Sequence, residues 1–181
     1  IGYIKLNEDG LRDEDNKHKL AVKKRYYSIG TPEYVEASSR DELGKLFTTQ
    51  YYIWRAGEWA SYLTVYDLNK TSQGLTINNS QKVLTGSDNK GDWMARGVQV
   101  PKLVQQDDKL KLFFKAQRWP KLDDGTMHSL AYLTKTNGGW TNPEPLFHSE
   151  TKTGIWPYKI TGFEVVPLAS NTYLFMVQAL N

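Results

Sequence analysis

The chain contains 181 residues, of which 39% are hydrophobic and 24% are charged. This balance is typical of one globular domain and excludes a collagen, a coiled coil and a wholly disordered segment. The 23 Lys and Arg residues stand against 20 Asp and Glu residues, which leaves a net charge of +3. Such a small excess does not predict a nucleic-acid partner, which would be recognised by a basic stripe or patch.

The sequence has no pattern that predicts a membrane-spanning helix or a metal site. No stretch approaches the roughly 20 consecutive apolar residues of a membrane-spanning helix, so we expect no membrane span. The chain has no cysteine, which excludes disulfides, thiolate metal sites and cysteine nucleophiles. Its three histidines match no metal-binding spacing, and we expect neither a metal ion nor a cofactor. The chain begins with Ile1 rather than methionine, which predicts a processed chain or a piece of a longer one.

The predicted secondary structure is almost wholly β-strand. Residue patterns of period two, rich in β-branched and aromatic side chains, alternate with turns rich in Gly, Asn and Asp. Only Asn16–Lys24 and Ser38–Leu46 have weak helical character. The fold class is therefore all-β, with strands predicted in chain order at Gly2–Leu6, Leu20–Lys24, Arg25–Ile29, Lys45–Phe47, Tyr51–Ala56, Tyr62–Leu68, Gln81–Leu84, Val98–Val104, Leu110–Ala116, Leu130–Thr134, Pro145–His148, Phe163–Leu168 and Tyr173–Ala179.

An internal repeat organises these strands. The pattern Gly-x-Trp-x-x-Arg/Lys occurs twice, 63 residues apart, as Gly91–Arg96 and Gly154–Lys159. Each copy precedes two predicted strands, and a partial earlier copy aligns Lys45–Phe47 with Lys102–Val104. A repeat of this length is typical of tandem β units. It predicts four-stranded antiparallel meanders in units of approximately residues 30–90, 91–153 and 154–181.

One unit resembles a known architecture. Lys109–Phe114, Leu130–Thr134 and the turn Gly138–Gly139–Trp140 together resemble a blade of the sialidase-like and fungal fucose-lectin-like β-propellers. In those proteins a turn ending in Gly-x-Trp caps the hairpin between the third and fourth strands. Thr134–Trp140 departs from the sialidase Asp-box, because it lacks the aspartate and is one residue short. The resemblance implies a β-propeller-like fold.

The number of units leaves the architecture open. Three units are fewer than the four to eight blades of closed propellers. The 181 residues therefore form either a single all-β domain or a fragment of a larger propeller. A homo-oligomer, or association with the rest of a longer chain, would supply further blades. A β-sandwich, in which the repeat is accidental, is the alternative.

The repeated motif supplies the first candidate ligand-binding residues. Trp93 with Arg96, and Trp156 with Lys159, each place a cation three residues after an indole ring. Such a pair could stack on the apolar face of a sugar while the cation binds hydroxyl or carboxylate groups. The alternative interpretation is that both tryptophans are hydrophobic plugs between sheets.

Loops that follow predicted inner strands supply a second set of candidates. Binding residues concentrate on loops that a rigid scaffold holds, and exposed Trp and Arg are typical of binding surfaces. The members of this set are Trp54, Arg55, Trp59, Arg118 and Trp119.

These features favour a non-catalytic carbohydrate-binding protein. Its partner would be a glycan or oligosaccharide bound on aromatic platforms, in the extracellular or periplasmic space. One alternative is a propeller-type glycoside hydrolase or a fragment of one, although no motif identifies a pair of catalytic carboxylates. The other is a protein-binding β-propeller module whose aromatic loops contact a protein. The sequence specifies neither the sugar nor the face that carries the site.

Overall fold

The computed structural model describes residues 2–6, 12–19, 28–35, 44–53, 59–72, 74–89, 91–106, 109–119, 128–148, 159–169 and 171–180. Within these residues all regular secondary structure is β-strand, which confirms the predicted all-β class. The strands are β1 (Gly2–Leu6), β2 (Arg12–Lys19), β3 (Ser28–Val35), β4 (Lys45–Ile53), β5 (Trp59–Thr71), β6 (Gly74–Thr85), β7 (Gly97–Gln106), β8 (Lys109–Gln117), β9 (His128–Thr136), β10 (Gly139–Trp140), β11 (Glu144–His148), β12 (Lys159–Ala169) and β13 (Thr172–Leu180).

The strands form two four-stranded meanders and two hairpins. Antiparallel pairs join β3, β4, β5 and β6 in order, which we call the first meander. Antiparallel pairs likewise join β7, β8, β9 and β11, the second meander, while β10 pairs with the far end of β9. A single parallel pair between Ser61 and Gly97 links the two meanders. The carboxy-terminal hairpin, β12–β13, and the amino-terminal hairpin, β1–β2, are separate two-stranded sheets.

The structure corrects the sequence alignment of the first unit. Lys45–Phe47 and Tyr51–Ala56 were expected to be two strands, but Lys45–Ile53 is one continuous strand. Phe47 pairs with Glu33 of β3 in the same way that Phe113 pairs with Lys102 of β7. Lys45–Phe47 therefore corresponds to Lys111–Phe113, which has the same Lys-Leu-Phe sequence. The prediction was wrong because it paired this segment with the preceding strand, at Lys102–Val104.

Both weak helical predictions fail where they can be compared with the structure. Asn16–Lys19 belongs to strand β2, and Leu46 belongs to strand β4. Residues 20–24 and 38–43 lie outside the described part of the chain. Among the described residues no helix is long and apolar enough to cross a membrane.

Two layers of the core lie one on each face of the second meander, and a smaller cluster around Leu46 and Tyr66 lies in the first meander. Successive side chains of a strand point to opposite faces of the sheet, and both faces of β8 are buried. Leu112, Phe114 and Ala116 pack against Phe47 and Leu63 of the first meander. Phe113 packs on the other side against the hairpin β12–β13, where ring centroids of Tyr173 and Phe175 lie 5.1 and 5.4 Å away. The two meanders and the carboxy-terminal hairpin are thus stacked in sequence order.

Equivalent irregularities interrupt the first strands of both meanders. The ladder of β3 is interrupted between Gly30 and Glu33, and that of β7 between Gln99 and Lys102. Thr31 and Val100, which directly precede prolines, have positive φ angles of 46° and 54°. β-Branched residues rarely adopt this conformation, and a residue before proline prefers an extended one. The surrounding contacts must therefore hold both bulges in place.

Side chains of one sheet fix the first strand of the next. The hydroxyl of Thr49 accepts a hydrogen bond of 3.0 Å from the Val100 N–H and lies 2.6 Å from the Thr31 hydroxyl. In the next layer, Lys115 donates to the Ile160 carbonyl at 3.2 Å, and His128 Nδ1 accepts from the Ile160 N–H at 2.9 Å. These bonds satisfy buried backbone groups that would otherwise be costly.

Candidate functional site

One end of the stacked sheets brings four predicted binding residues together. We call this surface, defined by Trp59, Arg96, Arg118 and Trp119, the tryptophan end. It lies where β5 and β7 begin and β8 ends. Trp59 is the first residue of β5, Arg96 directly precedes β7, and Arg118 and Trp119 directly follow β8. The sequence placed these residues on three separate segments, and the topology places those segments side by side.

Hydrogen bonds fix the backbone of the tryptophan end. Arg96 Nε donates to the Trp59 carbonyl at 2.9 Å, which links the turn before β7 to the start of β5. The Arg96 N–H donates to the Gln117 carbonyl at 2.9 Å, and the Gly91 N–H donates to the Trp119 carbonyl at 2.8 Å. The indole and guanidinium groups are therefore carried on rigid backbone, which lowers the entropy lost when a ligand binds.

Exposure distinguishes Trp59 from the other residues of this end. Its side chain is 45% exposed, and Ile53, which pairs with it across the ladder, is 44% exposed. Arg96, Arg118 and Trp119 are half-buried. An indole ring exposed to this extent presents a flat apolar surface to solvent.

A phenol and a carboxylate near the end of β4 were missed by the sequence analysis, and Tyr52, which pairs with Ala60, points to the face of the sheet opposite Trp59. Tyr52 precedes Ile53 on β4, and burial raises its pKa, with a further increase from the nearby Asp88 carboxylate. Asp88 is exposed in the connection between β6 and β7. The only sequence signal was the Gly86–Gly91 turn, because nothing in the chain indicates that Tyr52 and Asp88 approach each other.

Trp93, a predicted ligand-binding residue, lies in a different environment. It packs against the core layer between the two meanders and stacks on Phe114, with ring centroids 6.5 Å apart and planes at 21°. Its ring edge also meets the ring of His148 at 6.0 Å. This placement is that of a hydrophobic plug between sheets, the second of the two interpretations of this residue.

Four further predicted site residues remain. Trp54, Arg55 and Trp156 lie outside the described residues. The backbone of Lys159 begins β12 and pairs with Leu180. The tryptophan end therefore consists of four of the nine predicted residues.

A second candidate site is an open cleft between the first strands of the three stacked sheets. Its volume is about 320 Å³, within the range of small-molecule sites. Its walls include both proline bulges and the apolar side chains of Phe163 and Met176. The lining residues come from four strands and are Thr31, Pro32, Val100, Pro101, Lys102, Thr161, Gly162, Phe163, Glu164, Met176 and Gln178.

A lysine between two glutamates forms the charged part of this cleft. Lys102 Nζ lies 2.7 Å from a Glu164 carboxylate oxygen and 3.4 Å from a Glu33 oxygen. Burial lowers the pKa of Lys102, but hydrogen bonds and charge interactions with the two glutamates outweigh burial and raise it overall. The two carboxylate oxygens are at most 6.1 Å apart, because both approach the same nitrogen.

Sequence reasoning missed Glu33 and Lys102. A signal was present, because Thr31-Pro32-Glu33 and Val100-Pro101-Lys102 share a β-branched residue, a proline and a charged residue. The misaligned first unit concealed this correspondence. Among the described residues no three His, Asp or Glu side chains are grouped as metal ligands.

Comparisons with known proteins leave the chain without an assigned relative. No family model matches it, and neither a curated protein nor a solved structure is significantly similar to it.

Proposed function

We propose that the protein binds carbohydrate, without catalysis, at the tryptophan end of a propeller-like scaffold. The observation that carries the proposal is the 45% exposed indole of Trp59 on a backbone that Arg96 holds. A sugar ring has apolar C–H faces and polar hydroxyl edges. The indole provides the flat contact for the C–H faces, while Arg96 and Arg118 provide hydrogen-bond donors for the hydroxyl edges.

The arrangement of first strands supports a propeller-like rather than sandwich architecture. The cleft is lined by residues of β3, β7, β12 and β13, and the first three of these are the first strands of three successive sheets. Neighbouring first strands that surround one cleft are expected of blades around an axis. The function would be exercised outside the cytoplasm, in the extracellular or periplasmic space, where glycans are abundant.

A binding experiment with matched variants tests this function. The fluorescently labelled chain is screened on a glycan array, and affinity for any bound glycan is measured by titration calorimetry. Trp59→Ala is expected to weaken binding at least about tenfold, which corresponds to 1.4 kcal/mol. Tyr34→Ala is the control, since Tyr34 is a 52% exposed ring on β3, away from the tryptophan end. A silent array, or equal losses in both variants, would overturn the proposal.

Glycoside hydrolysis in the cleft is the second candidate function. The specific observation is the separation of at most 6.1 Å between oxygens of Glu33 and Glu164. Retaining glycosidases place their two carboxyl groups about 5–5.5 Å apart. However, the Lys102 ammonium occupies the space between these carboxylates, where the sugar ring of a substrate would have to lie. Hydrolysis would be established if the protein turns over aryl glycosides and Glu33→Gln abolishes this turnover. Glycan binding without turnover would favour the tryptophan end as the site.

A further inference from the structure

The cleft between the first strands contains charges of both signs, and they do not cancel. Of the described residues that line it, Lys102 contributes one positive charge, and Glu33 and Glu164 contribute one negative charge each. The other described lining residues are uncharged. The lining therefore has a net charge of −1, although the whole chain has a net charge of +3. An excess charge of one sign attracts a ligand of the opposite sign.

Lys102 leaves acceptor capacity on both glutamates. Its Nζ atom contacts one oxygen of each carboxylate, Oε2 of Glu33 and Oε1 of Glu164. An ionised carboxylate has two oxygens, which together accept about four hydrogen bonds. A second cation can therefore bind the same two carboxylates without displacing Lys102. The side chains of Glu33 and Glu164 are 25% and 59% exposed, so that solvent, and hence a ligand, reaches both of them.

The uncharged part of the cleft suits an apolar group. Val100, Pro101 and Phe163 are buried side chains of its lining, and Met176 is 52% exposed. An apolar group placed against these side chains would lose contact with water, which favours binding. The volume of about 320 Å³ lies at the lower limit of small-molecule sites, which restricts the ligand to a short group.

Hydrogen bonds hold the walls of the cleft in place before a ligand binds. The Thr49 hydroxyl contacts the Thr31 hydroxyl and accepts from the Val100 N–H, which fixes both proline bulges. In the carboxy-terminal hairpin, the Thr161 hydroxyl donates to the Gln178 carbonyl at 3.1 Å. A preformed cleft loses less conformational entropy when a ligand binds.

We propose that the cleft binds a small organic cation, namely a primary amine or a guanidine that carries a short apolar group. The cationic group would donate hydrogen bonds to Glu33 and Glu164, and the apolar group would pack against Phe163 and Met176. Charge distinguishes this ligand class from others, because a neutral sugar gains little from the net negative charge and an anion is repelled by it. The proposal does not depend on glycan binding, since no residue of the tryptophan end lines the cleft.

A series of probes that differ in charge tests the ligand class. Benzylammonium, benzyl alcohol and phenylacetate share a phenyl ring and a methylene group, and each is titrated into the full chain in a calorimeter. Benzylammonium is expected to bind at least about tenfold more tightly than benzyl alcohol, because charge-assisted hydrogen bonds are stronger than neutral ones. Phenylacetate is expected to bind most weakly. Added salt should reduce the preference for benzylammonium, since ions screen partly exposed charges.

Matched charge-neutralising variants test the residues. Glu164→Gln removes one negative charge of the cleft while nearly preserving the shape of an exposed side chain. It is expected to weaken benzylammonium binding about fivefold, the upper range for a partly exposed ion pair, and to leave benzyl alcohol binding unchanged. Asp67→Asn is the control, because Asp67 also forms an ion pair with a lysine, Lys45 at 2.5 Å, but does not line the cleft.

Amide NMR spectra locate the bound probe. Benzylammonium is expected to shift the backbone amides of Lys102, Gly162 and Glu164, which belong to two walls of the cleft. The amides of the tryptophan end should not move. The same spectra, recorded without probe, show whether Glu164→Gln and Asp67→Asn remain folded.

The outcomes separate the two proposals. A preference for benzylammonium that Glu164→Gln reduces and Asp67→Asn preserves, with shifts at the cleft amides, supports the cation site. Equal affinities for the three probes, equal losses in the two variants, or shifts confined to other amides overturn it. Absence of amine binding leaves glycan binding at the tryptophan end untouched, whereas a silent glycan array overturns the proposed function alone.

Discussion

Gly97 joins the two meanders at a point where a side chain has no room. Its φ of +118° lies in a region that other residues rarely adopt. A Cβ at this position would overlap the Ser61 carbonyl oxygen and lie 2.6 Å from the Ser61 nitrogen. An ordinary carbon contact is about 3.5 Å, so Gly97→Ala requires β5 and β7 to separate by about 1 Å.

The expected cost can be compared with a glycine in open space. Gly91, in the same connection, has a φ of +93°, but a Cβ added there would meet no atom of the described residues within 4 Å. Gly91→Ala should lower the free energy of unfolding by about 1 kcal/mol. A positive φ costs an alanine about 1–2 kcal/mol, and part of this is offset because alanine also makes the unfolded chain less flexible. Gly97→Ala should lower the free energy of unfolding by about 3 kcal/mol. Separation of β5 from β7 adds to the cost of the positive φ, because it breaks the Ser61–Gly97 pair and the hydrogen bond from the Ser61 N–H to the Arg96 carbonyl, each worth about 1 kcal/mol.

Equilibrium unfolding in urea, followed by tryptophan fluorescence, measures both variants. With a slope of about 2 kcal/mol per molar urea, the midpoint of Gly97→Ala should fall by about 1.5 M. Displacement of Ser61 also moves Trp59 and Arg96, so that glycan binding should weaken in Gly97→Ala and persist in Gly91→Ala. Equal midpoints for the two variants would refute the argument, because both share the positive φ and differ only in the space around the added methyl group.

Two further predictions concern hydroxyl groups. Thr49→Val should destabilise the protein by about 1–3 kcal/mol, because it leaves the buried Val100 N–H without its acceptor. Thr64→Val should be neutral or stabilising, because the buried Thr64 hydroxyl has no hydrogen-bond partner within the described part of the chain. Urea unfolding of the two variants checks the sign of the difference between their stabilities. Donation of a 2.6 Å hydrogen bond to Glu144, together with burial, raises the pKa of Tyr132. The contribution of this hydrogen bond to stability should therefore be complete below about pH 10 and disappear as the pH rises through the raised pKa. Near-ultraviolet phenolate titration should show a lower pKa for Tyr132 in Glu144→Gln, and an unchanged titration would contradict the role of this bond.

The sequence by itself determined the fold class and most strands. Period-two patterns depend on which faces of a strand are buried, and this information is local. Val98–Val104, Leu110–Ala116 and Leu130–Thr134 therefore lie within strands of the structure. The pattern was least informative where polar residues are buried on both faces. Thr48, Thr49 and Gln50 are fully buried in β4, in the middle of a strand that the sequence analysis had divided.

Only the tertiary structure decided which distant residues meet. Trp59, Arg96 and Trp119 were candidates because of their residue types, but their proximity depends on strand order and on the close approach of Gly97 to Ser61. Trp93 had the same sequence signal as the other tryptophans, yet its position after the Gly91 turn directs it onto Phe114. The Glu33–Lys102–Glu164 cluster arises from three strands that are far apart in sequence. Side-chain type is encoded locally, whereas burial and proximity are properties of the packed sheets.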